Sequence, residues 1–585
     1  MNESAIFGRL APRNSSIASE LGGPSTARSG QMLVAVAGKP RWADSALQNE
    51  AQQVSPAAAL LSAYRRLGDS LVGIVSGHFA IAVFDLEAGT ALLATDRFVT
   101  QPLAYGVAAD RSLVVASRAD TVARQPGIDH SISAQSIFNY AFFHMVPSPG
   151  TVYSGVSKLE PATVARFDGS TVAVRRYWLP GYPERWPSEA ELRERMHPAL
   201  LNAVRHTDPG AASAAFLSGG LDSSTVAGVL ANIQATKTFS IGFSEEGYDE
   251  MHYARVSARH FGTQSHEYYV QPEDIATAVP RVAAAYDEPF GNSSAVPTMF
   301  CARLAAEAGV RHLLAGDGGD ELFGGNERYA KQKVFERYSL LPGPLRKLLL
   351  EPVLRSPFGR IPGIPGKMRS YAEQASVPMP MRLFTYNFVQ HQGPQQIFSP
   401  DFLAAVDVAD PERLLGAEYE APPTDDIVDR MLYMDWKFTL ADNDLRKVNA
   451  MCALEGVAVS YPMLDDELLD LSLLVQPGLK IHGTDLRWFY RNAMRGFLPD
   501  EVLAKSKHGF GLPFGQWLKK SPRLQDLVSD SLASFATRGF VNRAFSDQII
   551  AAHRSGQANF YGTFIWVLVL LEQWLAVHAP STRAP

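Results

Sequence analysis

Ala215-Phe216-Leu217-Ser218-Gly219-Gly220-Leu221-Asp222-Ser223-Ser224 is an apolar strand running into a Ser/Gly loop, with a helix opening at Asp222. Such a layout gathers backbone N–H groups and a helix N-terminus around one anion. Gly219 and Gly220 let the backbone approach a ligand with no Cβ in the way. The hydroxyls of Ser218, Ser223 and Ser224 add donors, and Asp222 offers a carboxylate to a metal ion. The lysine of G-x-x-x-x-G-K-[ST] is absent, so the stretch predicts a pyrophosphate cradle for a nucleotide cut between its α- and β-phosphates. Taken alone, an ordinary βα turn with a serine cap reads the same way.

Around that loop strands and helices alternate: strand 213–217, helix 223–234, strand 238–243, helix 250–261, strand 266–270, helices 274–286 and 296–308, strand 310–315. This is the pattern of a parallel sheet with crossover helices. A helical segment at 188–206 precedes it, set off by the linker Leu179-Pro180-Gly181-Tyr182-Pro183-Glu184. Before the linker, short apolar runs at 78–85, 91–94, 113–116, 163–167 and 172–177 read as strands between turns. Residues 13–60 are rich in Ala, Ser and Gly, with few strand signals beyond 32–36. Beyond 330 the reading is helical, broken at 342–366 by Pro and Gly. Two units result: a β-rich one at 1–180 and an α/β one with a helical C-terminal part at 188–585.

With 585 residues, 46% of them hydrophobic and 19% charged, the chain has the composition of a soluble globular protein. A net charge of −6 gives no electrostatic footprint for nucleic acid or an anionic membrane. The two cysteines, Cys301 and Cys452, are far apart and read as buried small hydrophobes in a reducing cytoplasm. No secretory signal is expected. The apolar run 564–571 is cut by Glu572 and Gln573, short of the ~20 residues of a membrane span, and reads as a buried C-terminal helix.

A second loop supplies acids. Leu313-Leu314-Ala315-Gly316-Asp317-Gly318-Gly319-Asp320-Glu321-Leu322-Phe323-Gly324-Gly325 ends a strand in three carboxylates among glycines. Ligands in open α/β sheets sit beyond the carboxyl ends of strands. Asp222 and Asp320 would then share a Mg²⁺, which favours one or two carboxylates plus phosphate oxygens. A solvated acidic turn is the other reading. Farther on come Asp444-Leu445-Arg446-Lys447-Val448-Asn449, Tyr461-Pro462-Met463-Leu464-Asp465 and Lys505-Ser506-Lys507-His508-Gly509-Phe510-Gly511-Leu512-Pro513. A fixed lysine suits phosphoryl and acyl transfer, which both build negative charge.

S-G-G-L-D-S-S at 218–224 resembles the ATP-pyrophosphatase loop of the asparagine synthetase family, whose members activate a carboxylate as an acyl-adenylate. The resemblance spans nearly the whole chain. It implies an α/β ATP-pyrophosphatase-type synthetase domain with a parallel sheet, behind an α+β glutaminase-like (Ntn-type) β-sandwich. The latter match rests on Gly77-His78-Phe79-Ala80, Asp96-Arg97-Phe98, Gln101-Pro102-Leu103 and Pro147-Ser148-Pro149-Gly150-Thr151-Val152-Tyr153. ATP and Mg²⁺ are the implied cofactors. Nucleotide would bind at Leu217, Ser218, Gly219, Gly220, Leu221, Asp222, Ser223 and Ser224, at the adenine-side residues Ile241, Gly242 and Phe243, and at Gly316, Asp317 and Gly318. Asp222 and Asp320 would hold the metal, and Asp317 would face the acyl group. Lys507, in a block like the family's K-x-G-F-x-x-P, would lie over the α-phosphate.

Three positions depart from the family pattern. Lys447 and Pro462 keep the usual separation of fifteen, but Asn449 replaces an aspartate, Ala458 a glutamate and Ser460 an arginine. These changes weaken asparagine synthesis. Glu455, about one helical turn before Ala458, is either a substitute carboxylate or an exposed helix residue. Glutamine-using members carry a cysteine directly after the initiator methionine, and here that residue is Asn2. Ser4 would need trimming to act as a nucleophile. The first unit is therefore expected to be a scaffold, with the amine arriving inside the substrate.

Two branches close a ring this way, β-lactam-type synthetases and the macrolactam synthetases of lasso peptides, and the chain looks most like the lasso peptide cyclases. The expected reaction adenylates an Asp or Glu side chain of a precursor peptide. The peptide's N-terminal amine then forms an isopeptide bond, with AMP and pyrophosphate released. The implied partners are that peptide and a leader-peptide-processing protease of the same pathway, with no nucleic acid and no membrane span. The rivals are β-lactam closure on a small amino acid, amide formation from free ammonia, and a non-catalytic ATP-binding subunit.

Overall fold

The computed structural model describes residues 5–13, 15, 17–207, 210, 212–339, 364–505, 511–556 and 558–585. In the N-terminal unit, strand alternation sorts the side chains. Along Val75–Asp85, Phe79, Ile81 and Val83 pack on the helices Ser45–Gln53 and Pro56–Leu67. Ala80, Ala82 and Phe84 turn the other way, onto Ile6, Leu113 and Val115 of a second sheet. An antiparallel sheet of six strands thus stacks on one of five, the β-sandwich that the resemblance implies. The stretch 13–60 departs from expectation, since it holds the strands Ser25–Ser29 and Met32–Trp42 and both helices. Its alanines hid this: Ala57, Ala59 and Ala63 are fully buried, so close packing does the work that large side chains would signal.

Past the extended linker, the helix Glu189–Thr207 leads into five parallel strands. Their order is Gln264–Val270, Lys237–Phe243, Ser213–Phe216, His312–Leu314, Ala458–Ser460. The order reverses between Ser213–Phe216 and His312–Leu314, so the loops after these two strands splay apart and leave a crevice.

The fifth strand is a correction. The helix Leu445–Leu454 stops, and Gly456 (φ 71°) turns the chain into Ala458–Ser460. Ala458 and Ser460 therefore sit on the sheet edge and not on a helix with Glu455. Ser460 Oγ lies 2.9 Å from His312 Nε2, and His312 Nδ1 lies 2.9 Å from Ser213 Oγ, which ties three strands together.

The described part beyond 330 is mainly helical; most of the expected break at 342–366 lies outside the described residues. The last helix, Ala558–His578, is longer than the apolar run that announced it, and is apolar and long enough by composition to cross a membrane. Its packing is that of a core helix. Tyr140 Oη donates to the Val567 carbonyl (2.8 Å), Trp574 Nε1 donates to the Tyr286 carbonyl (3.1 Å), and buried Glu572 pairs with Arg538 (2.5 Å).

Candidate active site

The crevice opens into a cavity of about 550 Å³, within the usual size of a ligand site. At one end lies the 217–223 loop. Gly219 takes φ 75°, and a Cβ there would fall 2.5 Å from the Ala254 nitrogen. The Ser218 N–H donates to Ser223 Oγ (3.2 Å), and the two hydroxyls are 3.0 Å apart. The helix Leu221–Ile233 starts at Gly220 with no side-chain cap, so its first N–H groups are available to an anion.

The acidic loop packs directly on this one. A Cβ on Gly316 would meet the Ser223 nitrogen at 2.6 Å, and one on Gly319 would overlap the Asp222 carboxylate. Asp222 and Asp320 come together as expected, but through a residue the sequence reading missed. Arg487 donates to Asp222 Oδ1 at 2.6 Å and also to Asp320 Oδ1. A Cβ on Gly325 would strike both Arg487 Nε and Asp320, so that glycine makes room for the pair. Arg487 is buried and held at φ 51°, a backbone region that non-glycine residues rarely adopt. A buried polar residue at positive φ is a structural signal, invisible in Asp485-Leu486-Arg487-Trp488. Burial raises the Asp222 carboxyl above its ordinary range although Arg487 pulls it down.

The same cavity holds a charge cluster. Lys447 Nζ is 2.7 Å from Asp444 Oδ1 and 4.0 Å from Asp317 Oδ1. Burial works against the Lys447 charge, but Asp444 and Asp317 outweigh it and raise the pKa. Burial pushes Asp317 up to about 6, against the pull of Lys447 and helped by Asp444. Burial also lifts Glu321 well above the carboxylate range, with Asp444 adding to it. In the sequence, Lys447 stands out only by its spacing of fifteen from Pro462.

Not every expected residue faces the cavity. Leu217, Ser218, Gly220, Leu221, Asp222, Ser223, Ile241, Gly316, Asp317, Gly318 and Asp320 do. Ser224 is buried, its hydroxyl 2.9 Å from that of Ser257 between two helices, which corrects its expected role as a phosphate donor. Gly242 backs onto Tyr269, and Phe243 packs edge-on against Trp517 (5.9 Å), so Ile241 and Phe239 are the members of that strand at the cavity. Gly219 contributes its carbonyl, which accepts from Lys505 Nζ at 3.3 Å. Lys507 lies outside the described residues. Lys505 does not: its ammonium also pairs with Glu250 (2.8 Å) and sits 4.7 Å from the Tyr253 ring centroid. Glu455 is turned away, paired with Arg281 (3.3 Å) and Arg303 (3.2 Å). It is therefore neither a cavity carboxylate nor an exposed helix residue but a largely buried ion-pair partner.

An uncapped helix terminus and a carboxylate pair at a sheet's switch point suit one class of protein, a nucleotide-using synthetase fused to an amidotransferase-type sandwich. The comparisons agree. The asparagine synthase family matches residues 195–576, and the glutamine amidotransferase domain family matches 44–178. Asparagine synthetase [glutamine-hydrolyzing] 1 of Bacillus subtilis is 24% identical over 530 residues, covering 90% of this chain and 81% of that protein. Asparagine synthetase [glutamine-hydrolyzing] 3 of the same organism is 22% identical over 510 residues, covering 82% and 76%. Among solved structures, a glutamine phosphoribosylpyrophosphate amidotransferase from B. subtilis aligns at 12% identity and a TM-score of 0.20, covering 54% of this chain and 75% of that one. The chain belongs to the asparagine synthase family, and it is an ATP-dependent, AMP-forming carbon–nitrogen ligase that makes amides.

Proposed function

We propose that this ligase is a macrolactam synthetase of the lasso peptide cyclase type, its two units divided at 180 and 188. One observation carries the reading: the amidotransferase-type unit, residues 1–180, contains no cysteine, while the synthetase site keeps its acids and lysines. Both cysteines of the chain are buried in the second unit. Without a thiol to release ammonia from glutamine, an amine carried by the substrate itself is the simplest nitrogen source. Such an amine enjoys a high effective molarity.

On this reading ATP lies along 217–223 with its base near Ile241 and Phe239. Two carboxylates close enough to share one guanidinium fit Mg²⁺, a hard ion that binds one or two carboxylates plus phosphate oxygens. Asp222 and Asp320 would hold it, and it would neutralise phosphate charge. A peptide Asp or Glu side chain attacks the α-phosphorus, pyrophosphate leaves, and the N-terminal amine then displaces AMP from the acyl carbon. Asp317 takes the proton from that amine, and Lys447 and Lys507 offset negative charge at the acyl and phosphate ends. The partners are the precursor peptide and the protease that trims its leader, in the cytoplasm.

The relatives' names favour a second reading, amide formation from ammonia or glutamine. Incubation with Mg-ATP and peptides bearing Asp or Glu near the N-terminus separates the two. AMP together with a peptide lighter by one water supports cyclisation. Amidated product that appears only on adding ammonium or glutamine overturns it.

A further inference from the structure

The stretch Trp436–Asp444 is π-helical and runs straight into the helix that carries Lys447. π-helix is rare beyond a single turn and concentrates at functional sites, so nine residues of it need holding from outside. The N-terminal unit does the holding. Trp436 meets Phe98 edge-on (5.7 Å) and stacks near Trp178 (6.2 Å). Lys437 pairs with Glu160, and Phe438 stacks on Phe143 at 5.2 Å and 14°. Asp442 Oδ2 accepts from both the N–H and the hydroxyl of Ser148, each at 2.9 Å, in a buried setting.

Immediately after the π-helical stretch, Arg446 is clamped. It donates to Glu288 Oε1 and Asp287 Oδ1, both at 2.8 Å. Glu288 is fully buried and is shared with the N-terminal unit, accepting from Lys158 Nζ and the Val152 N–H, both at 2.9 Å. On its other side the stretch touches the catalytic loop, since Trp436 Nε1 donates to the Glu321 carbonyl (3.1 Å). Asp444 therefore lies between two residues that the first unit holds, Asp442 and Arg446, and Lys447 directly follows the second.

We propose that Ser148, Phe143, Asp442, Glu288 and Arg446 are positioning residues, through which the thiol-free N-terminal unit holds Asp444 and Lys447 in place at the acyl end of the cavity. The inference rests on the reading of that end as the site of acyl transfer, and it gives the amidotransferase fold a function that needs no nucleophile. None of these side chains lines the cavity, so their effect passes through Asp444 and Lys447.

The test uses the full chain with Ser148→Ala, Phe143→Leu and the conservative Ser148→Thr. Lys447 is probed by its rate of acylation with a water-soluble acetylating ester, followed by mass spectrometry over a pH series. Asp444, Asp317 and Glu321 face its ammonium, so loosening the cluster lowers the pKa of Lys447 toward the free-lysine value and speeds labelling at fixed pH. In the two disruptive variants labelling should rise several-fold. The kcat for AMP release should fall roughly 10- to 100-fold, the scale of a small misplacement, with KM for Mg-ATP within about twofold. Ser148→Thr, which keeps the hydroxyl, should restore both.

Folded variants whose Lys447 labelling and kcat match wild type would overturn the proposal, as would a lower melting temperature with both readouts unchanged. The labelling arm needs no peptide, so it decides the positioning role by itself. Full turnover by Lys447→Met would instead sink the assignment of the acyl end.

Discussion

The two units of this chain carry family motifs at strand ends, and they use them in opposite ways. In the synthetase unit the motif loops surround a cavity of about 550 Å³. The N-terminal unit's motif residues His78 and Gln101 border a void of about 40 Å³ that they share with His206 and Tyr461 of the second unit, space on the scale of one water. The first unit's motif residues have become joints. Gly77 N–H donates to Asp466 (2.5 Å), and Arg97 pairs with Asp466 (3.1 Å) while stacking on Trp178 (4.5 Å). Asp96 is buried and accepts from the Phe79 and Phe98 N–H groups, which shapes its own turn. Where the first unit closes its charges into an interface or a turn, the second keeps them around open space, with the pKa values of Asp222, Asp317 and Glu321 raised by burial. Shifted values around a cleft are the mark of chemistry; charges closed into joints are the mark of assembly.

The largest effects should come from the open site. Asp222→Ala or Asp320→Ala should cut AMP release at least about 100-fold, because either removes a carboxylate at the phosphates and frees Arg487 from its partner. Turnover within tenfold of wild type in a folded variant would show that the pair is not the metal site.

The next effect is on pH dependence. The Asp317 carboxylate, the form that can accept a proton, is lost as pH falls through about 6, so turnover should drop on the acid side. Lys447 holds that pKa down, and residual activity in Lys447→Met should therefore show its acid limb at higher pH. An unmoved limb would exclude Asp317 as the base.

Smaller consequences belong to the joints. Arg41→Ala removes ion pairs to Asp465 (2.5 Å) and Asp466 (3.2 Å), leaving Asp465 with His206 (3.0 Å). A loss of about 1–3 kcal/mol in denaturant stability is expected, with KM for ATP unchanged. A large KM change would mean that this interface and the nucleotide end are coupled. The smallest effect is none at all: Asn2→Ala should leave AMP release as it was, and loss of turnover in a folded Asn2→Ala variant would end the scaffold reading of the first unit.

The phosphate loop, the alternation around it and the sandwich strands were legible because each is a local pattern: apolar runs, glycines at turns, acids after a strand. Ser224 shows the limit. Its residue type fits the motif, but the helix turn carries its hydroxyl away from the ligand side toward Ser257. Arg487 shows another, since it lies far along the chain from both carboxylates it joins.

By itself the sequence determined the alternation of strands and helices after 213, the residue types of the 217–223 and 316–321 loops and the absence of a thiol in residues 1–180, all properties of residue type and short spacing. Tertiary structure alone decided that Ala458–Ser460 is a strand and that Trp436–Asp444 is π-helical. It also placed Lys447 between Asp317 and Asp444 and bound Glu288 to both units. The strand pairing, the Asp317 contact and the hold on Glu288 depend on partners more than a hundred residues away, whose burial and charge no local window contains.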